Sequence, residues 1–261
     1  MTIFAFAKLN SPLAQAVKSF AEYFSWQIEV LEITVPRDPG KIRVEVIETT
    51  VIDASTMRKI EKIREGRERP ILLFAPPASP GPISLMLGEM ANLFHISTRA
   101  KAEELIEQMR QIIGTLNQNR DFYLDAMKAE EAFLAAKYLD ALNAAKRMLS
   151  TKHEPFVAHM ILGRTLFRSG RINPALQHAE KALNVRPKSM AAASLVAAAH
   201  QKLGQSHIAE RYLSRFLPFA ETSILYMVQL GDVYFENGKI PDAKSIYQKA
   251  SAIDPGNKGS V

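Results

Sequence analysis

The chain has 261 residues, no cysteine, and 33 basic against 27 acidic side chains, giving a formal charge of +6. This length leads one to expect two domains, and an apolar content of 47% is enough for ordinary globular cores. The lack of cysteine excludes disulfide staples and cysteine-ligated zinc and fits a reducing, cytoplasmic setting. Met1 to Ala7 has no basic flank of the kind a signal peptide carries, and no run reaches the roughly 18 apolar residues of a membrane helix, so membrane insertion is not expected.

In chain order, Ile3 to Ala7 is a short apolar run that predicts a strand. Asn10-Ser11-Pro12 is a helix-start signal, and Leu13, Ala16, Val17, Phe20, Ala21 and Phe24 follow at helical spacing. Ile28 to Val35 is a second strand candidate, Val51-Ile52-Asp53 ends a third, and Ile71 to Ala75 is a fourth, bounded by Pro70 and Pro76. Pro36 to Thr50 reads two ways. Asp38-Pro39 looks like an N-cap and first helical residue, whereas Ile42, Val44 and Val46 alternate with Arg43 and Glu45 as a strand would. Met57 to Ile63, Ile83 to Phe94 and Lys101 to Leu116 are predicted helices, His95 to Thr98 a short fifth strand, and Gly114 to Asp121 a linker. Short buried strands separated by helices predict a parallel, doubly wound sheet.

The second half is periodic. Phe156 to Ser189, Met190 to Ser223 and Ile224 to Asn257 are consecutive windows of 34 residues without insertion. In the last, Leu230-Gly231, Tyr234, Gly238, Ala243, Tyr247, Ala250 and Pro255 mark a helix, a turn, a second helix and a stop. The first gives Leu162-Gly163, Leu166, Gly170, Ala175, Ala179, Ala182 and Pro187 at the same places. The middle window keeps Gly204 and Ala209 but has Val196-Ala197 for the Leu-Gly pair. Phe122 to Pro155 supplies Ala129, Ala132, Ala136, Ala141 and Ala145, a fourth and degenerate repeat whose turn lacks glycine. Small residues let the helices of one hairpin approach, and glycine at the turn accepts a positive φ. Where the first full repeat offers Leu176 and Leu183 to its neighbour, the last carries Lys244 and Ser251, the polar outer face expected of a terminal repeat.

This pattern resembles the tetratricopeptide repeat family. The resemblance implies an all-α solenoid over residues 122–257, divided as 122–155, 156–189, 190–223 and 224–257. It further implies that the first helices line a concave groove for a protein or peptide partner. Family geometry places Phe133, Phe167, Gln201 and Phe235 at one groove position. Glu130, Arg164, Ala198 and Asp232 fall at a second, and Leu134, Arg168, Lys202 and Glu236 at a third. Tyr123 and Met160 also fall on that side. A ladder of aromatics suits an apolar or amphipathic segment, although aromatics there are common in the family. The Lys and Asn set with which related chaperone adaptors clamp a C-terminal carboxylate is missing.

Five strands, an acid expected at the end of the third and a domain spanning 1–117 resemble the receiver domain of bacterial response regulators, a flavodoxin-like fold. That resemblance makes Asp53 the candidate phosphoacceptor. The family's two metal-holding acids are replaced by Lys8, Leu9 and Asn10, its Ser or Thr after the fourth strand by Ala75, and its lysine by Thr98 or Arg99. A carboxylate accepts phosphate only with a metal and fixed cations to neutralise the transferring group, so the domain reads as degenerate. The helix Ile83 to Phe94 is more apolar than one buried stripe requires, and Met86, Met90 and Phe94 are candidates for a homodimer or docking face. The alternative is burial of this helix in its own domain.

Enzymatic readings find little support. No Walker or GxGxxG loop occurs, and Pro76-Pro77-Ala78-Ser79-Pro80-Gly81-Pro82 has too few N–H donors to cradle a phosphate. His153, His159, His178, His200 and His207 lack acid or histidine partners at metal-ligand spacing. Neither a cofactor nor a metal is expected. Residues 1–121 carry 15 basic and 15 acidic side chains and residues 122–257 carry 17 and 12. The densest basic run, Arg58 to Arg69, is interleaved with Glu as on a solvated helix, so nucleic acid is not an expected partner. The sequence thus predicts a non-catalytic adaptor of bacterial signalling or assembly. The alternatives are a phosphorylatable regulator with a protein-binding output, and a nucleotide- or flavin-binding sheet with a scaffold tail.

Overall fold

The computed structural model describes residues 2–5, 27–29, 43–48, 60, 70–76, 92–97, 99, 101–218 and 223–253. Strands β1 (Thr2–Ala5), β2 (Gln27–Glu29), β3 (Arg43–Glu48), β4 (Ile71–Ala75) and β5 (Leu93–Ser97) form one parallel sheet in the order β2-β1-β3-β4-β5. Ile3 lies opposite Ile28 and Val44, and Leu73 opposite Ile47 and His95. All five residues of β4 are buried, as an unbroken apolar run in a parallel sheet should be.

Two sequence expectations change here. The ambiguous Pro36 to Thr50 stretch contains the third strand, Arg43–Glu48, and Val51-Ile52-Asp53, expected to end it, lies outside the described residues. Leu93 and Phe94, expected at the end of a helix, begin β5, with Phe94 in register with Leu72. An apolar run by itself does not tell a helix end from a strand start. Here Asn92, at φ 57, turns the chain, and its carbonyl accepts from the Ile71 N–H at 2.8 Å. Of Met57 to Ile63 only Ile60 is described, helical and fully buried.

Helix α1 (Ala102–Gln118) packs on β5. Its first turn is closed by the Lys101 N–H donating to Glu104 Oε2 at 3.3 Å. It runs straight through Gly114, where a linker was expected, and only Asn119 separates it from α2 (Arg120–Leu134). Met109 and Leu116 of α1 join Leu72, Phe74 and Ile96 of the sheet to Phe122 and Tyr123 of α2 in one buried cluster. Sheet and helices therefore share a core.

Four antiparallel hairpins follow: α2 with α3 (Tyr138–Ser150), α4 (Pro155–Arg168) with α5 (Ile172–Val185), α6 (Met190–Lys202) with α7 (Ser206–Ser214), and α8 (Ile224–Glu236) with α9 (Ile240–Ile253). Each second helix also packs on the next first helix. The result is a helical solenoid of stacked hairpins. Lys244 and Ser251 on α9 are exposed.

The four turns share one backbone geometry. Gly170, Gly204 and Gly238 have φ of 78, 72 and 73, and Ala136, at the equivalent place in the first hairpin, has φ 57. In each turn two N–H groups close back on the preceding helix. Ala136 donates to the Phe133 carbonyl at 3.0 Å and Lys137 to the Ala132 carbonyl at 2.8 Å; Gly170 donates to Phe167 at 3.1 Å and Arg171 to Leu166 at 2.9 Å. This paired pattern satisfies two carbonyls that the helix end leaves open. The first repeat thus keeps the turn without the glycine, at a steric cost for alanine of about 1–2 kcal/mol.

Small residues set the spacing within each hairpin. Ala129, Ala197, Ala141, Ala175 and Ala209 are fully buried, and Ala243 is nearly so. A Cβ on Gly163 would lie 2.9 Å from Leu195 Cδ2 and 3.4 Å from the Ala175 carbonyl oxygen; on Gly231 it would lie 2.5 Å from the Tyr247 ring. Ser189 and Ser223 cap α6 and α8, their hydroxyls accepting from the Ala192 and Tyr226 N–H groups at 3.3 Å. Replacing such a cap with alanine costs about 1 kcal/mol.

A Cβ at Gly170, Gly204 or Gly238 would meet nothing within 4 Å, so backbone conformation alone governs substitution there. Ala136→Gly should raise stability to urea unfolding by about 1 kcal/mol, and Gly204→Ala should lower it by a similar amount. Equal stabilities for Ala136→Gly and the parent would contradict the shared turn.

Candidate functional site

The first helices lie side by side, α2 against α4, α4 against α6 and α6 against α8. Side chains bridge them along one inner face. The Arg164 guanidinium of α4 lies 6.0 Å over the Phe133 ring of α2. Gln229 Nε2 of α8 donates to the Ser194 carbonyl of α6 at 2.9 Å, and the Ser194 hydroxyl meets Gln229 Oε1. Gln201 Nε2 of α6 donates to Glu236 Oε1 of α8 at 3.3 Å, and the Ser206 hydroxyl meets Glu236 Oε2.

On this face the expected residues separate into two groups. Phe133, Phe167 and Gln201 are half-buried, while Arg168, Lys202, Asp232 and Phe235 are exposed. Phe235 is 62% exposed, a large apolar surface left to solvent. Tyr123, Met160 and Glu130, by contrast, are buried. The Tyr123 hydroxyl lies 3.1 Å from His153 Nε2, in the turn ahead of α4, and the Phe122 and His153 rings meet edge-on at 4.8 Å. Burial, and then the charge of Glu154, push that hydroxyl far above its ordinary range. Met160 is covered because α4 is buried along most of its length, from Phe156 through Leu166, between flanking hairpins. A position map for an isolated repeat misses such coverage.

The charges on the face also differ in their partners. The Asp232 carboxylate accepts from the Tyr247 hydroxyl at 2.6 Å, and burial followed by that bond pushes Tyr247 up to about 12. Glu236 is engaged as described above. Arg168 and Lys202 occupy the last turns of α4 and α6, where the helix dipole favours cations. Among the described residues neither forms an ion pair. Leu225, 81% exposed at the start of α8, and Ser194, which joins α6 to α8, were not anticipated from sequence. The alanine run through Met190 to His200 hid the role of Ser194.

Elsewhere, Phe94 packs against the core from β5, and Met86, Met90 and Asp53 lie outside the described residues. Ala75 ends β4, its carbonyl 3.1 Å from His95 Nε2. His200 is buried, with Nδ1 2.7 Å from Gln205 Oε1 and its ring stacked on Tyr212. Among the described residues no group of three or more His, Asp or Glu could hold a metal ion. Among them, too, no helix is long and apolar enough to cross a membrane.

Residues 225–257 match the family model described as tetratricopeptide repeat. No curated protein matches the chain. Among solved structures, the chain is similar to MamA from Desulfovibrio magneticus RS-1, at 20% identity over 52% of this chain and 76% of that one, with a TM-score of 0.46. YrrB, a TPR protein described as having an unusual peptide-binding site, shares 19% identity over 55% of this chain and 75% of that one, also at 0.46. A thermophilic TPR protein from Thermus thermophilus shares 19% over 60% and 87%, at 0.45.

His159 of α4 and His178 of α5 face one another, Nδ1 to Nδ1 at 3.0 Å, so one must donate and the other accept. Burial and then Lys181 hold His159 below the usual imidazole range. Burial, His159, Lys181 on the same helix and Lys146 of α3 lower His178 to about 4. The unfolded chain therefore takes up protons that the folded pair refuses. The pair's contribution is complete above about pH 6.5 and is lost as pH falls toward 4. Discounted for its half-open position, the loss between pH 7 and 5 should be roughly 1 kcal/mol. Urea titrations at the two pH values should show that excess over His178→Gln; equal losses would contradict a neutral pair.

Proposed function

We propose that this chain is a non-catalytic adaptor in bacterial signalling or assembly, which holds a segment of a partner protein against the inner face of α2, α4, α6 and α8. The observation that carries the reading is a face spanning four hairpins on which Phe235 of α8 and the cations Arg168 of α4 and Lys202 of α6 are all exposed. An exposed aromatic ring on a face that also presents charges is the type of side chain that anchors a partner segment. Since fold does not fix function, the reading rests on the side chains of the face.

The amino-terminal region, residues 1–117, we read as receiver-like and as a docking or dimerising element in a cytoplasmic protein. Its parallel strand order supports a doubly wound fold of flavodoxin type. Ala75 at the end of β4 offers no hydroxyl for a phosphoryl oxygen, and in the sequence Lys8, Leu9 and Asn10 replace the receiver family's metal-holding acids. Phosphoryl transfer to Asp53 would lack the charge neutralisation it requires. The shared core from β4 through α1 to α2 provides a physical route for coupling between the two regions.

Two experiments test these statements. The immobilised chain should retain from lysate a set of proteins that Phe167→Ala/Phe235→Ala loses at least tenfold; equal recovery by parent and variant would overturn the face as the binding site. Incubation with acetyl phosphate and Mg²⁺ should leave the intact mass unchanged, whereas an adduct present in the parent and absent from Asp53→Ala would restore the phosphorylatable reading.

A further inference from the structure

Among the described residues, five of the hairpin acids are engaged within the fold. Arg147 donates to Asp125 at 2.7 Å, Arg186 to Glu154 at 3.0 Å, and Lys239 to Glu210 at 2.5 Å. The last two acids on the inner face are held by neutral groups, Asp232 by Tyr247 and Glu236 by Gln201 and Ser206. Such bonds hold these carboxylates in place within the protein. Of the 17 basic side chains in residues 122–257, Arg168 and Lys202 are exposed at equivalent positions of adjacent first helices and form no ion pair among the described residues.

Those two cations stand one residue beyond Phe167 and Gln201, and Phe235 follows at the equivalent place on α8. Neighbouring packed helices lie about 8–10 Å apart, so a single short segment reaches all three. We propose that the occupant of the inner face is an acidic protein segment, with carboxylates against Arg168 and Lys202 and a bulky apolar side chain against Phe235. This rests on the adaptor reading and goes further by fixing the charge and register of the guest. A carboxylate between two unpaired cations gains charge-assisted bonds, and the ring adds area burial that water cannot match. Nucleic acid would answer the cations but not the isolated apolar ring, because stacking on bases calls for a platform of aromatics along a basic groove.

The probe is a random 12-residue peptide display library selected against the full chain, followed by fluorescence anisotropy of the most enriched peptide. Selected peptides should carry net negative charge and at least one large apolar residue. Arg168→Glu/Lys202→Glu and Phe235→Ala should each weaken binding at least tenfold, and Arg168→Gln/Lys202→Gln should weaken it by less than the charge reversal. All these positions are exposed, and circular dichroism should confirm unchanged helix content. Enrichment of neutral or basic peptides that remain sensitive to Phe235→Ala would overturn the acidic guest and leave the adaptor reading standing. Binding insensitive to every variant would overturn both, and equal competition by dT12 would replace the acidic segment with a general polyanion.

Discussion

Each hairpin depends on two helix backbones lying closer than a large side chain allows. Ala129, Gly163, Ala197 and Gly231 on the first helices, and Ala141, Ala175, Ala209 and Ala243 on the second, supply that proximity. The left-handed turn between them fixes the return angle, and its two closing hydrogen bonds recur even where Ala136 replaces glycine. With spacing and angle both set, every second helix meets the next first helix in the same way. Stability then accumulates through neighbours, as in other repeat arrays.

The aligned first helices are the functional consequence. Their buried sides join a core that is continuous from β4 through α1 into the hairpins, so the inner face is mounted on a connected body. What remains exposed there is a narrow set of side chains. Bridges such as Gln229 to Ser194 and Arg164 over Phe133 occupy the seams at either end of the array, leaving Arg168, Lys202, Asp232, Phe235 and Glu236 exposed. A pre-formed face of this kind spends little conformational entropy when a guest binds.

Much of the hairpin half could be read from the sequence because glycine and alanine act there through backbone geometry, which needs no knowledge of neighbours. Ala136 is the instructive exception: its residue type argued against the turn, while the tertiary position imposed it. Burial was harder to foresee. Tyr123 and Met160 fall on the groove side of an isolated repeat, yet His153 and the flanking hairpins cover them. In the sheet half, β4 was legible because it is buried on both sides and flanked by prolines. Phe94 and the Pro36 to Thr50 stretch were not, since short apolar or alternating runs satisfy more than one periodicity. Partners of charged groups, such as Tyr247 for Asp232, come from distant helices and leave no local mark.

The central claim is that the first helices hold a guest on their inner face while the hairpin interiors stay closed. Methyl NMR of alanine-labelled chain tests it directly, because alanines occur in both places. On titration with a bound peptide, the exposed Ala191 and half-exposed Ala198 of α6 should shift, while the fully buried Ala175, Ala179 and Ala209 should not. Shifts confined to the buried alanines, or to none of the α6 methyls, would contradict the account.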